Sequence, residues 1–255
     1  MLSTYPSYTR LFIWQNRLLY FGLSQHLTAH AYATSALHVG IYQPFQIKIG
    51  DGLWQSCRCV FVPAGIKHEL NFGKGIHGKL FIERDSADFL YLKRRFPFSV
   101  QSATLFQDDQ LLKQLLWIYE ENPDKELIER CLDTLLNCDD SLNFTMDARI
   151  QAAIDLIRDE PDCNFSQDYL AAISNLSASR FLHLFKENTN VAYRRFRVWK
   201  RLFLAVEHLN QRDNMTVAAL EAGFSDATHF SHSFRETFGV NPRFVFRGIE
   251  RFEVK

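Results

Sequence analysis

The stretch from Thr216 to Arg247, TVAALEAGFSDATHFSHSFRETFGVNPRFVFR, predicts two helices joined by a tight turn. Thr216 can cap the first helix, because its hydroxyl can accept a hydrogen bond from the backbone at the helix start. Gly223 lacks a Cβ and therefore suits the left-handed conformation in which many helices end. Either Ser225 or Asp226 can cap the helix that follows.

The second of these helices has one apolar and one polar face. Its phenylalanines recur every four residues, which predicts one buried stripe: Phe230, Phe234 and Phe238. Polar side chains occupy the opposite face at positions i, i+4 and i+7: Thr228, His232 and Arg235. A short helix, a glycine turn and a second helix with these two faces form the helix-turn-helix pattern. Its second helix has the size of a DNA major groove.

The same pattern occurs upstream, between Asn164 and Asn190. Ser166 is predicted to cap a short helix, and residues 174–177 form the turn. The helix that follows has an apolar face with Phe181, Leu184 and Phe185. Its polar face has the same spacing as before: Ser179, His183 and Lys186. Asn190 can end this helix, since asparagine tolerates the left-handed region. The repetition argues against an ordinary helical pair with a merely solvated face.

One long helix is predicted between the two copies, from Tyr193 to Gln211. Its apolar residues lie near helical spacing: Phe196, Trp199, Phe203, Val206 and Leu209. At 1.5 Å per residue the helix would be roughly 28 Å long. It can therefore hold two recognition helices about one turn of DNA apart, roughly 34 Å, on one side of a duplex.

Several linked motifs resemble the DNA-binding domain of AraC/XylS-type transcription regulators. They are SRFLHLFK at 179–186, FRVWKRLFLAVEHL at 196–209, EAGFSD at 221–226, FS at 230–231 and FGVNP at 238–242. The resemblance covers roughly Asp147 to Arg247. It implies a seven-helix domain with two helix-turn-helix units, at about 166–189 and 216–239, that enter successive segments of the major groove.

The resemblance also implies contacts with DNA. Base contacts map onto seven residues: Ser179, Leu182, His183, Ala227, Thr228, His229 and His232. We expect phosphate contacts from six basic residues: Arg180, Lys186, Arg194, Arg195, Lys200 and Arg235. Leu182 and Ala227 can make only apolar contacts, for example with a thymine methyl group. His232 stands where the family frequently has arginine, and Phe246 where it commonly has tyrosine.

Basic residues are concentrated around the first of the two units. The whole chain has 29 Lys and Arg against 29 Asp and Glu, so a binder that acts through overall charge is not indicated. Between Ser177 and Arg201, however, there are seven cationic side chains and one anionic one, Glu187. Such a local patch is what phosphate contacts need, whereas a solvated helix face is the alternative interpretation.

The part of the chain from Leu11 to about Glu83 predicts a small β-barrel or jelly roll, because it consists of many short strands separated by glycine turns. The motif Pro63-x-Gly65-x-x-His68 resembles the second motif of the cupins, and cupin-like barrels commonly form the sensor half of these regulators. The apolar stripes between Leu105 and Asp139 predict a helical hairpin after the barrel.

Such a barrel can hold a small effector, or its side chains can fill it completely so that it only dimerises. The candidate pocket residues are His38, Tyr42, Trp54, Phe61 and His68. A metal-binding cupin would also need a His-x-His motif and a carboxylate upstream, and the histidines there are scattered. We therefore expect no metal site and no cofactor.

The predicted class is α+β, with a cupin-like barrel (1–104), a helical hairpin that is a possible dimer interface (105–141), a linker (142–146) and an all-α DNA-binding domain (147–255). The chain shows no secretory leader, no membrane-length apolar window and no CxxC pair, which predicts a cytoplasmic protein. The hypothesis is a bacterial-type regulator, not an enzyme, that binds promoter DNA and an effector and, as an activator, RNA polymerase. A metal-dependent cupin-type enzyme and a ligand-independent DNA-binding dimer are the alternatives.

Overall fold

A computed structural model describes residues 9–14, 16–23, 26–84, 86–95, 102–136, 146–160, 163–212, 214–246 and 249–254. The strands are β1 (Thr9–Ile13), β2 (Arg17–Leu23), β3 (His26–His30), β4 (Ser35–Gly40), β5 (Phe45–Ile49), β6 (Trp54–Cys57), β7 (Cys59–Val62), β8 (His68–Asn71), β9 (Ile76–Ile82), β10 (Thr104–Phe106) and β11 (Ile249–Val254). The helices are α1 (Ala87–Arg95), α2 (Asp109–Glu121), α3 (Lys125–Leu136), α4 (Ala148–Asp159), α5 (Gln167–Ile173), α6 (Ala178–Thr189), α7 (Tyr193–Arg212), α8 (Met215–Glu221), α9 (Ala227–Phe238) and α10 (Pro242–Phe246). Apart from Met146, the predicted linker lies outside the described residues.

Two sheets form the amino-terminal part, which confirms the predicted fold class. The larger sheet has the strand order β10-β7-β4-β9-β2-β1-β11, and the smaller one has the order β3-β8-β5-β6. The helical hairpin predicted from Leu105 begins later than expected, because Thr104–Phe106 pairs antiparallel with Cys59–Phe61 at the sheet edge. The hairpin itself consists of α2 and α3. Helix α1 was not predicted.

The last described strand, β11, joins the amino-terminal sheet. It pairs in parallel with β1, from Thr9 opposite Ile249 to Ile13 opposite Val254. Parallel neighbours need a long crossover connection, and here the rest of the chain provides it. The segment predicted to end the DNA-binding domain therefore lies in the sheet of the other domain.

The large sheet buries side chains on both faces. Phe12, Leu19, Leu80 and Leu37 lie side by side on one face, which packs against α1, α2 and α3. The neighbouring register places Leu11, Tyr20, Lys79 and His38 side by side across the same four strands. Because side chains alternate along a strand, this second row faces away from the hairpin and towards the helical domain.

The two domains share a continuous hydrophobic core. Phe81 of β9 packs against Trp199 of α7, with ring centroids 5.2 Å apart, and against Phe238 of α9, with centroids 5.7 Å apart. At the rim of this contact the Glu83 carboxylate pairs with Lys200 of α7, and it lies 3.7 Å from the Arg158 guanidinium of α4. No helix among the described residues is long and apolar enough to span a membrane.

Candidate DNA-binding face and interdomain cavity

The second helix-turn-helix unit consists of α8 and α9. Asn214, rather than the predicted Thr216, caps α8, since its side chain accepts hydrogen bonds from the first-turn backbone. Thr216 lies inside the helix. Gly223 adopts a φ of 79° in the turn, and Asp226 caps α9 by accepting from the backbone N–H of His229 at 2.8 Å. Gly239 ends α9 in the left-handed conformation, as predicted.

The first unit consists of α5 and α6 and is built in the same way. Ser166 caps α5, and Ser177 caps α6 by accepting from the backbone N–H of Arg180 at 3.2 Å. Asn190 ends α6 with a φ of 64°, which confirms the predicted left-handed stop. Two residues expected on the apolar side of α5, Tyr169 and Ile173, are each 48% exposed, because Leu170 and Ala171 form the buried side of that helix.

The two recognition helices carry matching side chains at matching positions. Both begin with alanine, and both then have a hydroxyl residue, Ser179 or Thr228. The buried pairs are Phe181 with Phe230 and Phe185 with Phe234, and the exposed pairs are His183 with His232, Lys186 with Arg235 and Glu187 with Glu236. The phenylalanines hold each helix on α7 and leave the polar row outside.

The predicted base-contacting residues lie on this outer face. Ser179, His183, Thr228, His229 and His232 are exposed. The two apolar ones are half-buried: Leu182 and Ala227. The polar side chains thus point to the solvent from both helices.

The predicted phosphate-contacting residues divide into two groups. Five are exposed on or next to the recognition helices: Arg180, Lys186, Arg194, Arg195 and Arg235. Lys200, by contrast, is only 13% exposed and pairs with Glu83 of the amino-terminal domain. The structure therefore places Lys200 in the domain interface, away from the other five. The Glu83 partner lies far away in the sequence, so the helical pattern of α7 carried no signal of it.

A cavity of about 50 Å³ lies between the large sheet and the second unit. Its walls come from both domains: Leu11, Leu18, Tyr20 and Lys79 from the sheet, and Phe234, Phe238, Val240 and Phe246 from the helical domain. Lys79 is 5% exposed, and its Nζ atom lies 5.3 Å from the centre of the Tyr32 ring. Burial lowers the pKa of Lys79 from 10.5 to about 7.

Lys79 has no acidic partner among the described residues, since no salt bridge or hydrogen bond of its ammonium group is found there. A buried ammonium group is costly unless an anion or a hydrogen-bond acceptor compensates it. Sequence reasoning missed this residue. The available signal was the alternation in β9, where His77, Lys79 and Phe81 share one face of a strand whose every residue is buried.

The interior of the amino-terminal domain contains a cluster of buried rings: His30, Tyr32, His38 and His68. The His30 and His68 centroids are 4.4 Å apart, and those of Tyr32 and His68 are 4.8 Å apart. Burial lowers the pKa of His68 to about 4 and that of His38 well below its ordinary value, so these rings are neutral at pH 7. Their mutual packing supports the interpretation that they fill the interior.

The structure does not bring the five predicted pocket residues together. His38 and His68 are neighbours, with ring centroids 5.9 Å apart. Phe61 faces the opposite side of the sheet and packs with Phe89 of α1, and Tyr42 bonds to Glu120 of α2 at 3.1 Å. Trp54 is 40% exposed on an edge strand of the smaller sheet. Alternation along the strands separates them.

Within the described parts of the chain, no group of three or more His, Cys, Asp or Glu residues is placed to hold a metal ion. The buried histidines contact one another through their ring faces and edges.

Residues 170–248 match the family described as a helix-turn-helix domain. Three solved structures of ToxT from Vibrio cholerae share the fold over 91–93% of this chain. ToxT from strain O395 matches with a TM-score of 0.61 at 11% identity, covering 93% of this chain and 100% of ToxT. ToxT from strain SCE256 with an unsaturated fatty acid bound matches with a TM-score of 0.59 at 12% identity, covering 92% and 96%. ToxT bound to (E)-4-(8-methylnaphthalen-1-yl)but-3-enoic acid matches with a TM-score of 0.60 at 11% identity, covering 91% and 98%. No curated protein sequence matches the chain.

The family match spans the carboxyl-terminal half of α5 and everything from α6 to α10, and therefore includes both recognition helices. The fold shared with ToxT extends over the amino-terminal sheets as well. Residues 170–248 are thus a helix-turn-helix domain, a type of domain that binds DNA, and the chain that carries them shares the fold of ToxT.

Proposed function

We propose that a carboxylic acid with an apolar tail binds in the cavity between the two domains and controls DNA binding. The observation that carries this proposal is Lys79, a deeply buried amino group with no acidic partner among the described residues. It lies beside a cavity whose other walls are mostly apolar. A carboxylate would compensate the ammonium group, and an apolar tail would suit the remaining walls. The two ToxT structures with an unsaturated fatty acid and a butenoic acid bound support this ligand class.

The small size of the cavity couples this ligand to the position of α9. Pockets that enclose a ligand usually have volumes of roughly 300 Å³ or more, whereas this cavity has about 50 Å³. A fatty acid can therefore enter only if the walls of the cavity move apart, and these walls include Phe234 and Phe238. Both side chains belong to the second recognition helix, so occupancy of the cavity shifts the relative position of the two units.

A DNA-binding titration tests the proposal. Duplexes enriched by the protein from a random pool are labelled, and their affinity is measured by fluorescence anisotropy with oleic acid, with its methyl ester, and with no addition. We expect oleic acid to change the dissociation constant by about 5- to 150-fold, the usual range of coupling between sites. The methyl ester lacks the charge and should have no effect.

The variant Lys79→Met should bind DNA but lose the response to oleic acid, while Lys74→Met, in the exposed turn before β9, should keep it. An equal response to acid and ester, or a response that survives Lys79→Met, would refute the assignment of the carboxylate to Lys79. DNA binding that no acid changes would favour a ligand-independent regulator.

The proposal includes a homodimer in the cytoplasm, formed through the α2–α3 hairpin, and contact with RNA polymerase if transcription is activated. The hairpin lies on the side of the large sheet opposite the helical domain, and Trp117 of α2 is 37% exposed there. Sedimentation velocity of Trp117→Glu tests the dimer. A charged residue at the interface should give monomers, and an unchanged sedimentation coefficient would place the interface elsewhere.

A further inference from the structure

The two recognition helices present nearly the same chemistry, and this bears on the organisation of the DNA site, given the DNA-binding function. Each helix exposes a hydroxyl residue in its first turn, a histidine one turn later, and then a basic and an acidic residue in succession. In α6 these are Ser179, His183, Lys186 and Glu187. In α9 they are Thr228, His232, Arg235 and Glu236. Side chains at matching positions of two similarly docked helices reach matching base positions.

The two histidines are also oriented alike. In α6 the Nδ1 atom of His183 lies 3.3 Å from the Glu187 carboxylate, and in α9 the Nδ1 atom of His232 lies 3.6 Å from that of Glu236. In both helices Nδ1 is thus the ring atom on the side of the glutamate, and Nε2 is the ring atom directed away from it. The Nε2 atom can contact a base edge as an acceptor towards a base amino group or as a donor towards guanine. Both helices therefore present the same ring atom for contact with a base edge.

Two exposed or half-exposed positions in the first two turns differ in chemistry between the helices. Arg180 in the first corresponds to His229 in the second, and Leu182 corresponds to Ser231. The His229 ring is 3.1 Å from the Ser225 hydroxyl, an interaction that Arg180 does not have. Base preference should therefore agree between the two half-sites at the histidine position and differ at the positions that these two pairs reach.

Both recognition helices end against the same patch of the amino-terminal domain. Asn190, at the end of α6, donates its side-chain N–H to the Ala64 carbonyl at 2.8 Å. Gly239, at the end of α9, accepts from the Thr28 hydroxyl at 3.5 Å. These acceptor and donor segments are neighbours, since Gly65 donates its backbone N–H to Tyr32 at 2.8 Å. The helices thus run towards this patch in a common sense, as units related by a shift along the duplex would.

Helix α7 connects the two helix-turn-helix units and sets the distance between them. Helix α7 has 20 residues, which corresponds to roughly 30 Å at 1.5 Å per residue. One turn of DNA is about 34 Å, or about 10 base pairs, long. The two units can therefore engage consecutive major-groove segments on one side of the duplex.

We propose that one chain recognises a direct repeat: two half-sites in the same orientation, about 10 base pairs apart, that share the base pair read by His183 in one and by His232 in the other. The base pairs reached by Arg180 and Leu182 in one half-site differ from those reached by His229 and Ser231 in the other.

Selection from a random duplex pool, followed by sequencing, tests the repeat. The wild-type chain should enrich two like half-sites in the same orientation. His183→Ala should relax the shared position in one half-site and His232→Ala the matching position in the other, each by roughly tenfold in base discrimination. Both side chains are well exposed, so thermal unfolding should be unchanged and serves as the control for folding.

A second variant adds a gain-of-similarity test. The double substitution His229→Arg with Ser231→Leu gives the second helix the residues of the first at these two positions. The selected half-sites should then become more alike. An inverted repeat, two unrelated half-sites, or relaxation of unmatched positions by the two histidine variants would overturn the proposal. Enrichment of no sequence at all would instead contradict the DNA-binding function itself.

Discussion

Replacement of Lys79 by methionine should stabilise the protein. Burial lowers the pKa of Lys79 from 10.5 to about 7, and such a shift corresponds to a cost of roughly 4 kcal/mol at pH 7 when each pKa unit counts about 1.4 kcal/mol. Methionine has a similar volume and no charge, so the cost disappears while the packing of the stem is retained. We expect the free energy of unfolding at pH 7 to rise by about 2–4 kcal/mol, because relaxation reduces the full cost.

The assay is denaturant unfolding of the wild type and of Lys79→Met as a function of pH. Between pH 7 and 10.5 the unfolded chain keeps a proton on Lys79 that the folded chain has lost, so the wild type gains stability as the pH rises. The advantage of the variant should therefore be constant below pH 7 and shrink towards zero near pH 10.5. Lys74→Met, at an exposed position, should change stability by less than about 0.5 kcal/mol. A less stable Lys79→Met protein, or a difference that does not depend on pH, would refute the assignment of an uncompensated buried charge.

Three further predictions follow from the two sites. The affinity for a fatty acid, measured by calorimetry, should fall by up to about tenfold per pH unit above pH 7, because the carboxylate pairs with the protonated form of Lys79. An affinity that rises over this range would contradict the pairing. Asn190→Gly keeps the left-handed helix end but removes the hydrogen bond to the amino-terminal domain, so it should lower the free energy of unfolding by about 1 kcal/mol. The control is Asn175→Gly, at a left-handed position in the turn of the first helix-turn-helix unit. Equal effects of the two variants in chemical denaturation would show that the contact contributes nothing. Arg195→Ala should weaken binding to all DNA sequences alike and reduce the salt slope by about 1, whereas His183→Ala should change the sequence preference with little change in the slope; binding titrations at several salt concentrations separate the two, and identical slopes would reject the division into phosphate and base contacts.

The cavity and the helix ends give the proposed control a physical route. Phe234 and Phe238 form part of the cavity wall, while Thr228 and His232 of the same helix lie on the exposed face. A helix moves largely as a rigid unit, so displacement of its buried face also displaces its exposed face. The hydrogen bonds at Asn190 and Gly239 and the Glu83–Lys200 pair resist that displacement.

Local sequence determined the two recognition helices. The spacing of Phe230, Phe234 and Phe238 sets which face is buried, and the stops at Asn190 and Gly239 have the left-handed conformation that those residues tolerate. These features depend on neighbours within a few residues along the chain, so they can be read without knowledge of the fold. The exact cap of α8 could not, because Asn214 and Thr216 are both good capping residues and only the helix start decides between them.

Only the tertiary structure decided how the domains meet. Lys200 pairs with Glu83, and Asn190 bonds to Ala64; each partner lies more than a hundred residues away along the chain. Likewise, β11 pairs with β1, although β1 is the first and β11 the last described strand. The environment of Lys79 likewise depends on which strands and helices surround β9. The sequence by itself determined periodic faces and helix ends, because those follow from local backbone geometry. The cavity, the buried Lys79 beside it and the pairing of Lys200 with Glu83 in the domain interface depend on long-range packing, which no local pattern encodes.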